Sequence, residues 1–211
     1  MRINLNLDIN HEVEGNRYSF VDAGSSKEVY QLTGDSNSIY KIPRATDSIA
    51  MLNDKVKLNL YKPTTIEEVY DVLQLIEEQS PSMVWPVGQL MVEIFVWEKL
   101  LELEQKGYDI SCFARLEDYY FDNKGIPVIK QEAVNHYNFS EDEWASFCDR
   151  YELISEQLEY RYDIYLNDIR RGNVGIKDKM PKIYDFGMIN DYFSDYADYD
   201  SYCEDDEWEE E

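Results

Sequence analysis

Asp168 and Asn173, five positions apart, and then Asp185, which opens an Asp-Phe-Gly run, constrain this chain more than any other feature. The segment reads Tyr165-Leu-Asn-Asp168-Ile-Arg170-Arg-Gly-Asn173-Val-Gly-Ile, then Lys182-Ile-Tyr-Asp185-Phe-Gly187. Two short apolar runs, Val174 to Ile176 and Ile183 to Tyr184, lie between Asn173 and Asp185 and suit a hairpin. Neither an Asp-x4-Asn pair nor an Asp-Phe-Gly triplet carries weight alone. Their order, with a hairpin between them, is what makes the segment specific.

Upstream, Ala23-Gly24-Ser25-Ser26-Lys27-Glu28-Val29-Tyr30 reads as a glycine-containing turn between two strands. Gly24 allows close backbone approach to a ligand, and its neighbours could present N–H groups to an anion. Ser38 to Pro43 reads as a short strand with one lysine, Lys41, among apolar neighbours, after a turn at Thr33-Gly-Asp-Ser-Asn. A helix is expected over Gly88 to Lys106, because Leu90, Ile94, Trp97 and Leu101 recur on one face. Glu93 and Glu98 flank that face on opposite sides. Ile110 to Phe121 and Ile126 to Gln131 read as a hairpin about Asp122-Asn-Lys-Gly125. Ser140 and Glu143 form a capping box for a further helix, striped by Trp144, Phe147, Tyr151, Ile154 and Leu158.

Taken in this order, the elements resemble the protein-kinase-like fold from about Tyr18 to Gly187. The resemblance implies an α+β protein of two lobes, an antiparallel-sheet small lobe (1–134) and a reduced helical large lobe (135–190). It also implies ATP and magnesium as cofactors. Gly24, Ser25, Ser26 and Lys27 would cover the phosphates, and Val29 would pack on the adenine. Lys41 would hold the α- and β-phosphates, paired with Glu93, which is favoured over Glu98. Gln131 would close the back of the pocket, and Glu132 and Val134 would offer C=O and N–H to the base. Asp168 would orient the acceptor hydroxyl and take its proton, Arg170 would contact the γ-phosphate, and Asn173 and Asp185 would hold the metal.

The chain departs from the family in several places. Asp22 and Lys27 stand where the outer two glycines of the phosphate loop usually lie, and Leu166 stands where a histidine often precedes the catalytic Asp. Only two dozen residues follow Asp185-Phe-Gly187, too few for a long activation segment or peptide-docking helices. In this the chain is similar to compact kinase-like proteins of bacteriophages. An insertion, Ala45 to Val87, carries another expected capped helix (Thr65 and Glu68, then Ile66, Val69, Leu73, Ile76). Ile3, Leu5, Leu7 and Ile9 alternate as in an added edge strand.

A formal charge of -24 over 211 residues argues against direct binding to nucleic acid or anionic membranes. Much of it lies after Asn190, in an acidic, tyrosine-rich tail (191–211). No apolar run is long enough to span a bilayer and no signal peptide is evident, so a cytoplasmic location is expected. Cys112, Cys148 and Cys203 lack CxxC spacing, which fits a reducing compartment. His11 and His136 are expected to lie away from the site, which disfavours Ser/His/Asp catalysis. The expected activity is transfer of the γ-phosphoryl group of ATP to a hydroxyl, favouring Ser, Thr or Tyr of a protein such as a host factor. One alternative is a non-catalytic scaffold whose carboxylates mimic a phosphate backbone for a basic, nucleic-acid-binding host protein. The other is a small-molecule kinase or an AMP transferase.

Overall fold

A computed structural model describes residues 18–24, 26–44, 60–79, 81–121 and 125–190, with Ser82 described by its backbone alone. The expected edge strand at Ile3 to Ile9, the first part of the insertion (45–59) and the acidic tail lie outside these residues, as does Ser25. So do Asp122, Asn123 and Lys124.

The chain is α+β. Five strands, β1 (Tyr18–Ala23), β2 (Lys27–Leu32), β3 (Ser38–Pro43), β4 (Leu116–Phe121) and β5 (Pro127–Glu132), form an antiparallel sheet in the order β1-β2-β3-β5-β4. Register decides which side chains meet. Val29 pairs with Lys41 and Lys41 with Ile129, while Ile39 pairs with Gln131. Because directly opposed residues share a face, Lys27, Val29, Ile39, Lys41, Ile129 and Gln131 all point to the inner side. The outer side takes the alternate set, where Tyr30, Ile42, Tyr120 and Val128 form a small cluster of their own. Tyr18 packs there edge-on to Tyr40, with ring centres 5.2 Å apart.

Three α-helices lie among the described residues: α1 (Ile66–Gln79), α2 (Val84–Gln105) and α3 (Glu141–Tyr162). Helix α1 buries Ile66, Val69, Val72, Leu73 and Ile76 along one stripe. Its start differs in detail from a simple capping box. Thr65 Oγ1 accepts from the Glu68 N–H at 3.3 Å, but the Glu68 carboxylate returns to Thr64, accepting from its N–H and hydroxyl at 2.7 Å each.

Helix α2 begins four residues before the expected Gly88, led in by a 3-10 turn at Pro81–Met83. Pro86 is compatible with this because the first turn needs no donor to a preceding carbonyl. The expectation of a single apolar face also needs correction: Pro86 through Trp97 are all buried. A helix apolar on every side lies inside a core rather than on top of one. Helix α2 therefore meets α1, α3 and the inner face of the sheet at β3 and β5.

The long expected strand from Ile110 is shortened to Leu116–Phe121. The residues before it turn instead and bond to the end of a second sheet, β6 (Asn135–His136), β7 (Val174–Lys177) and β8 (Met180–Ile183), ordered β6-β7-β8. Ala114 N donates to Ile183 O and Ile183 N donates to Cys112 O, each at 2.7 Å. Asp178 and Lys179 make the β7–β8 turn with φ of 50° and 65°, the left-handed pair that a tight hairpin requires.

The expected boundary at 134/135 falls between the two sheets. The apolar core nevertheless runs across it, joining Leu90, Ile94 and Leu103 of α2 to Phe147, Leu158, Val174, Ile183 and Phe186. Among the described residues no helix is long and apolar enough to cross a membrane.

Helix α3 carries a full capping box: Ser140 Oγ accepts from Glu143 N at 3.3 Å and Glu143 Oε2 accepts from Ser140 N at 2.9 Å. Ser140→Ala should cost about 1 kcal/mol, lowering the melting temperature by roughly 2–4 °C for a chain of this size. Calorimetry checks this; an unchanged melting temperature would show that the cap is dispensable.

Candidate functional site

A lysine in a strand is ordinarily solvent-facing, so the burial of two on the inner face of the sheet needs a reason. Lys27 and Lys41 are 4% and 2% exposed. Burying an ammonium costs several kcal/mol unless a carboxylate meets it. Glu93, itself wholly buried in α2, meets both: Lys41 Nζ lies 2.5 Å from Oε1 and Lys27 Nζ 3.2 Å from Oε2. Lys41 also donates to the Tyr184 carbonyl, and Lys27 to Asp185 Oδ1. Gln131 Nε2 approaches Glu93 Oε1 at 3.4 Å from the neighbouring strand. Glu98, the other carboxylate considered for Lys41, is engaged elsewhere, accepting from the Tyr119 hydroxyl at 3.0 Å and lying 3.3 Å from Lys62.

The ionisation of the cluster follows from its packing. Burial pulls the Lys41 pKa down; Glu93 opposes this, but the adjacent Lys27 adds to it and the net direction is downward. Burial acts the same way on Lys27, yet the Asp185 and Glu93 carboxylates together outweigh it and its pKa is raised. For Asp185 burial favours the neutral acid, but Lys27 and Lys41 win and hold the carboxyl below its usual range. The Lys27–Asp185 pair therefore persists through neutral pH. Its contribution to stability is full above the ordinary carboxylate pKa, shrinks as pH falls from there, and is gone once pH has passed through the depressed pKa of Asp185.

Asp168 and Asn173 come from the loop after α3. Asn173 directs its amide nitrogen to Asp168, donating to the backbone carbonyl and to Oδ2 at 2.8 Å each. That leaves Oδ1 of Asn173 as the end a cation could use. Arg170 is largely exposed and holds Asp168 Oδ1 at 2.9 Å. Tyr184 N donates to Asn173 O at 3.0 Å, so the hairpin sets Asp185 beside the loop.

Lys27, Lys41, Asp168, Asn173 and Asp185 line one cleft of about 760 Å³, with Glu93 and Gln131 buried behind it. Gly24, Ser26, Lys27, Val29 and Lys41 border it from the five-stranded sheet, Val134 from the connection, and Asp168, Arg170, Asn173 and Asp185 from the opposite side. Gly24 lies outside the left-handed φ range and has open space where a side chain would be; neither geometry nor neighbours demand glycine there. Gly187 is different: a Cβ would lie 2.6 Å from Gln89 O and 3.1 Å from Lys27 Nζ. Its bare backbone lets the Asp185 loop press onto α2.

One expectation changes. His136 does border the cleft, because β6 pairs it with Gly175 on β7, immediately after the Asp168 loop. The Glu132 carboxylate, which the expected backbone contact to the base does not use, accepts from Arg115 N at 2.7 Å and pairs with Lys182 at 2.8 Å. The sequence also left Gln89, Trp85 and Tyr184 unmarked, although all three line the cleft. Gln89 accepts from the buried Ser26 hydroxyl at 2.7 Å. No periodicity distinguishes such a glutamine from the apolar residues around it.

Among the described residues, no three His, Cys, Asp or Glu side chains cluster as metal ligands. A divalent ion here would draw on Asp185, the Asn173 carbonyl oxygen, water and ligand oxygens, a set that suits magnesium with a polyphosphate. Comparison with models of known protein families finds no match, and neither does comparison with curated proteins.

Glu93→Gln would take the paired carboxylate from Lys41 and leave Lys27 with Asp185 alone. It should destabilise the fold by about 3–5 kcal/mol, read from urea unfolding. A change within 0.5 kcal/mol, on the order expected of surface substitutions, would show that the cluster does not hold the sheet to α2.

Proposed function

We propose that the chain is a two-lobed, kinase-like phosphotransferase that binds Mg-ATP and passes the γ-phosphoryl group to a hydroxyl. The observation that carries this reading is the meeting of Lys41, Asp168, Asn173 and Asp185, from well-separated parts of the sequence, at one cleft, with Glu93 buried behind it and paired to Lys41. The cleft volume lies in the range of roughly 300–1,000 Å³ found for small-molecule sites. The order of the parts adds support: glycine turn, strand lysine, helix carboxylate, then the two-carboxylate loop and hairpin.

In this reading the triphosphate lies between the β1–β2 turn and the Asp168 loop. Lys41, kept in place by Glu93, faces its phosphates, and Val29 and Val134 face the base. Bound magnesium would offset the charge that builds on the phosphoryl oxygens. Asp168 is oriented by two donors, Arg170 and Asn173, and can align an incoming hydroxyl and accept its proton. The hydroxyl oxygen forms the new bond to the γ-phosphorus as the bond to the bridging oxygen breaks and ADP leaves. Arg170, exposed at the cleft edge, supplies positive charge near the transferring group. A protein hydroxyl is the favoured acceptor.

One observation favours the scaffold alternative: Lys27 already neutralises the carboxylate that would bind metal. A Mg-dependent thermal shift with ATP separates the readings, because a scaffold without a nucleotide site shows none. In an assay with ATP labelled on the γ-phosphate, Asp168→Ala should keep the thermal shift and lose transfer by about 10²–10⁴-fold. Asp185→Ala should lose both. Transfer unchanged in both variants would overturn the mechanism, and label retained only from the α-phosphate would identify AMP transfer instead.

A further inference from the structure

Lys27 has a placement that phosphate binding alone does not require. It opens β2 just after the glycine turn, but its side chain runs inward, 5% exposed, to the far end of the cleft. There its ammonium touches Asp185 Oδ1 and stands 3.2 Å from Glu93 Oε2. Lys41 takes the other oxygen of Glu93. Two ammoniums and two carboxylates thus form a closed, neutral chain, Lys41–Glu93–Lys27–Asp185.

The closure has a consequence for metal. A divalent ion at Asp185 needs the carboxylate that Lys27 holds, and an ammonium and a dication on one carboxylate repel each other. Asp185 gains little alternative support, since the Gly187 N–H lies 3.5 Å from the same Oδ1. Meanwhile the backbone origin of Lys27 is anchored. Ser26 Oγ bonds Gln89, and Ser26 O accepts from Arg44 N at 2.9 Å. Movement of the ammonium is therefore left to the four-carbon side chain, which borders the cleft and now places its ammonium on Asp185.

We propose that Lys27 is a built-in counter-ion that excludes divalent metal from Asp185 until a polyphosphate draws its ammonium away. Metal and nucleotide then enter as one unit, and the protein does not load metal alone. This rests on the Mg-nucleotide reading of the cleft. Arg170 faces the same space but pairs with Asp168, so it does not take Lys27's place on Asp185.

The test is Mn²⁺ binding to the full chain without nucleotide, followed by the electron paramagnetic resonance of free Mn²⁺. Lys27→Gln keeps a hydrogen-bond donor near both carboxylates while removing the charge; it should bind Mn²⁺ at least tenfold more tightly than the wild type. Lys27→Arg restores the charge and should bind as weakly as the wild type. Adding Asp185→Asn to Lys27→Gln should abolish the gain. Should Lys27→Gln fail to fold, Lys27→Met, which preserves the apolar stem, carries the same expectation. Mn²⁺ affinities within twofold between the wild type and the uncharged variants, with Mg-ATP still shifting the wild-type melting temperature, would overturn the counter-ion alone. A wild-type chain indifferent to Mg-ATP would overturn the parent reading and the exchange with it.

Discussion

Glu93 is a carboxylate with no exposed surface, in the middle of a helix buried on all sides. Such a charge is tolerable only because two ammoniums reach it, one from β2 and one from β3. Taking three or more ions out of water costs several kcal/mol each before pairing offsets it. The pairing in turn demands that sheet, helix and Asp185 loop sit in one relative position. A pair of apolar residues would hold these elements together equally well; what it would not do is leave opposed charges at the end of a cleft. The cluster therefore fixes the relative position of sheet, helix and loop without being a net source of stability.

The surrounding packing serves that geometry. Gly187 lets the loop approach α2 until backbone meets backbone, and Gly175 does the same between β7 and the connection at Val134 and Asn135, where a Cβ would lie 2.4 Å from Asn135 O. Phe186, 2% exposed and edge-on to Phe113 at 5.5 Å, pins the residue between Asp185 and Gly187 into the shared core. The polar residues of the loop are thus placed by their apolar neighbours. Asp168 and Asn173 are fixed more locally, by bonds within five residues of each other, and lie at the cleft surface.

Much of this was legible in the chain. Helix α3 announces itself through Ser140 and Glu143 followed by a three-and-four stripe, and β3 through a short apolar run bounded by turn residues. The start of α2 was not legible, because a helix buried on all sides has no polar face to mark its phase or its ends. The strand expected from Ile110 failed for a related reason. Its apolar residues are needed by the core and by Ile183, so tertiary bonds claimed a segment that local pattern would have made extended.

Sequence by itself determined which chemical groups are available and in what order: a strand lysine, a helix carboxylate, an Asp and Asn in one loop, an Asp before Phe-Gly. Those follow from residue type and local spacing, since turns, caps and periodicity act over a few residues. Only the tertiary structure decided that Glu93 rather than Glu98 faces Lys41, that His136 reaches the cleft, and that Lys27 lands on Asp185. Each of these depends on strand register and on the depth of α2 in the core. Both are set by close packing between segments far apart in the chain, which no local pattern records.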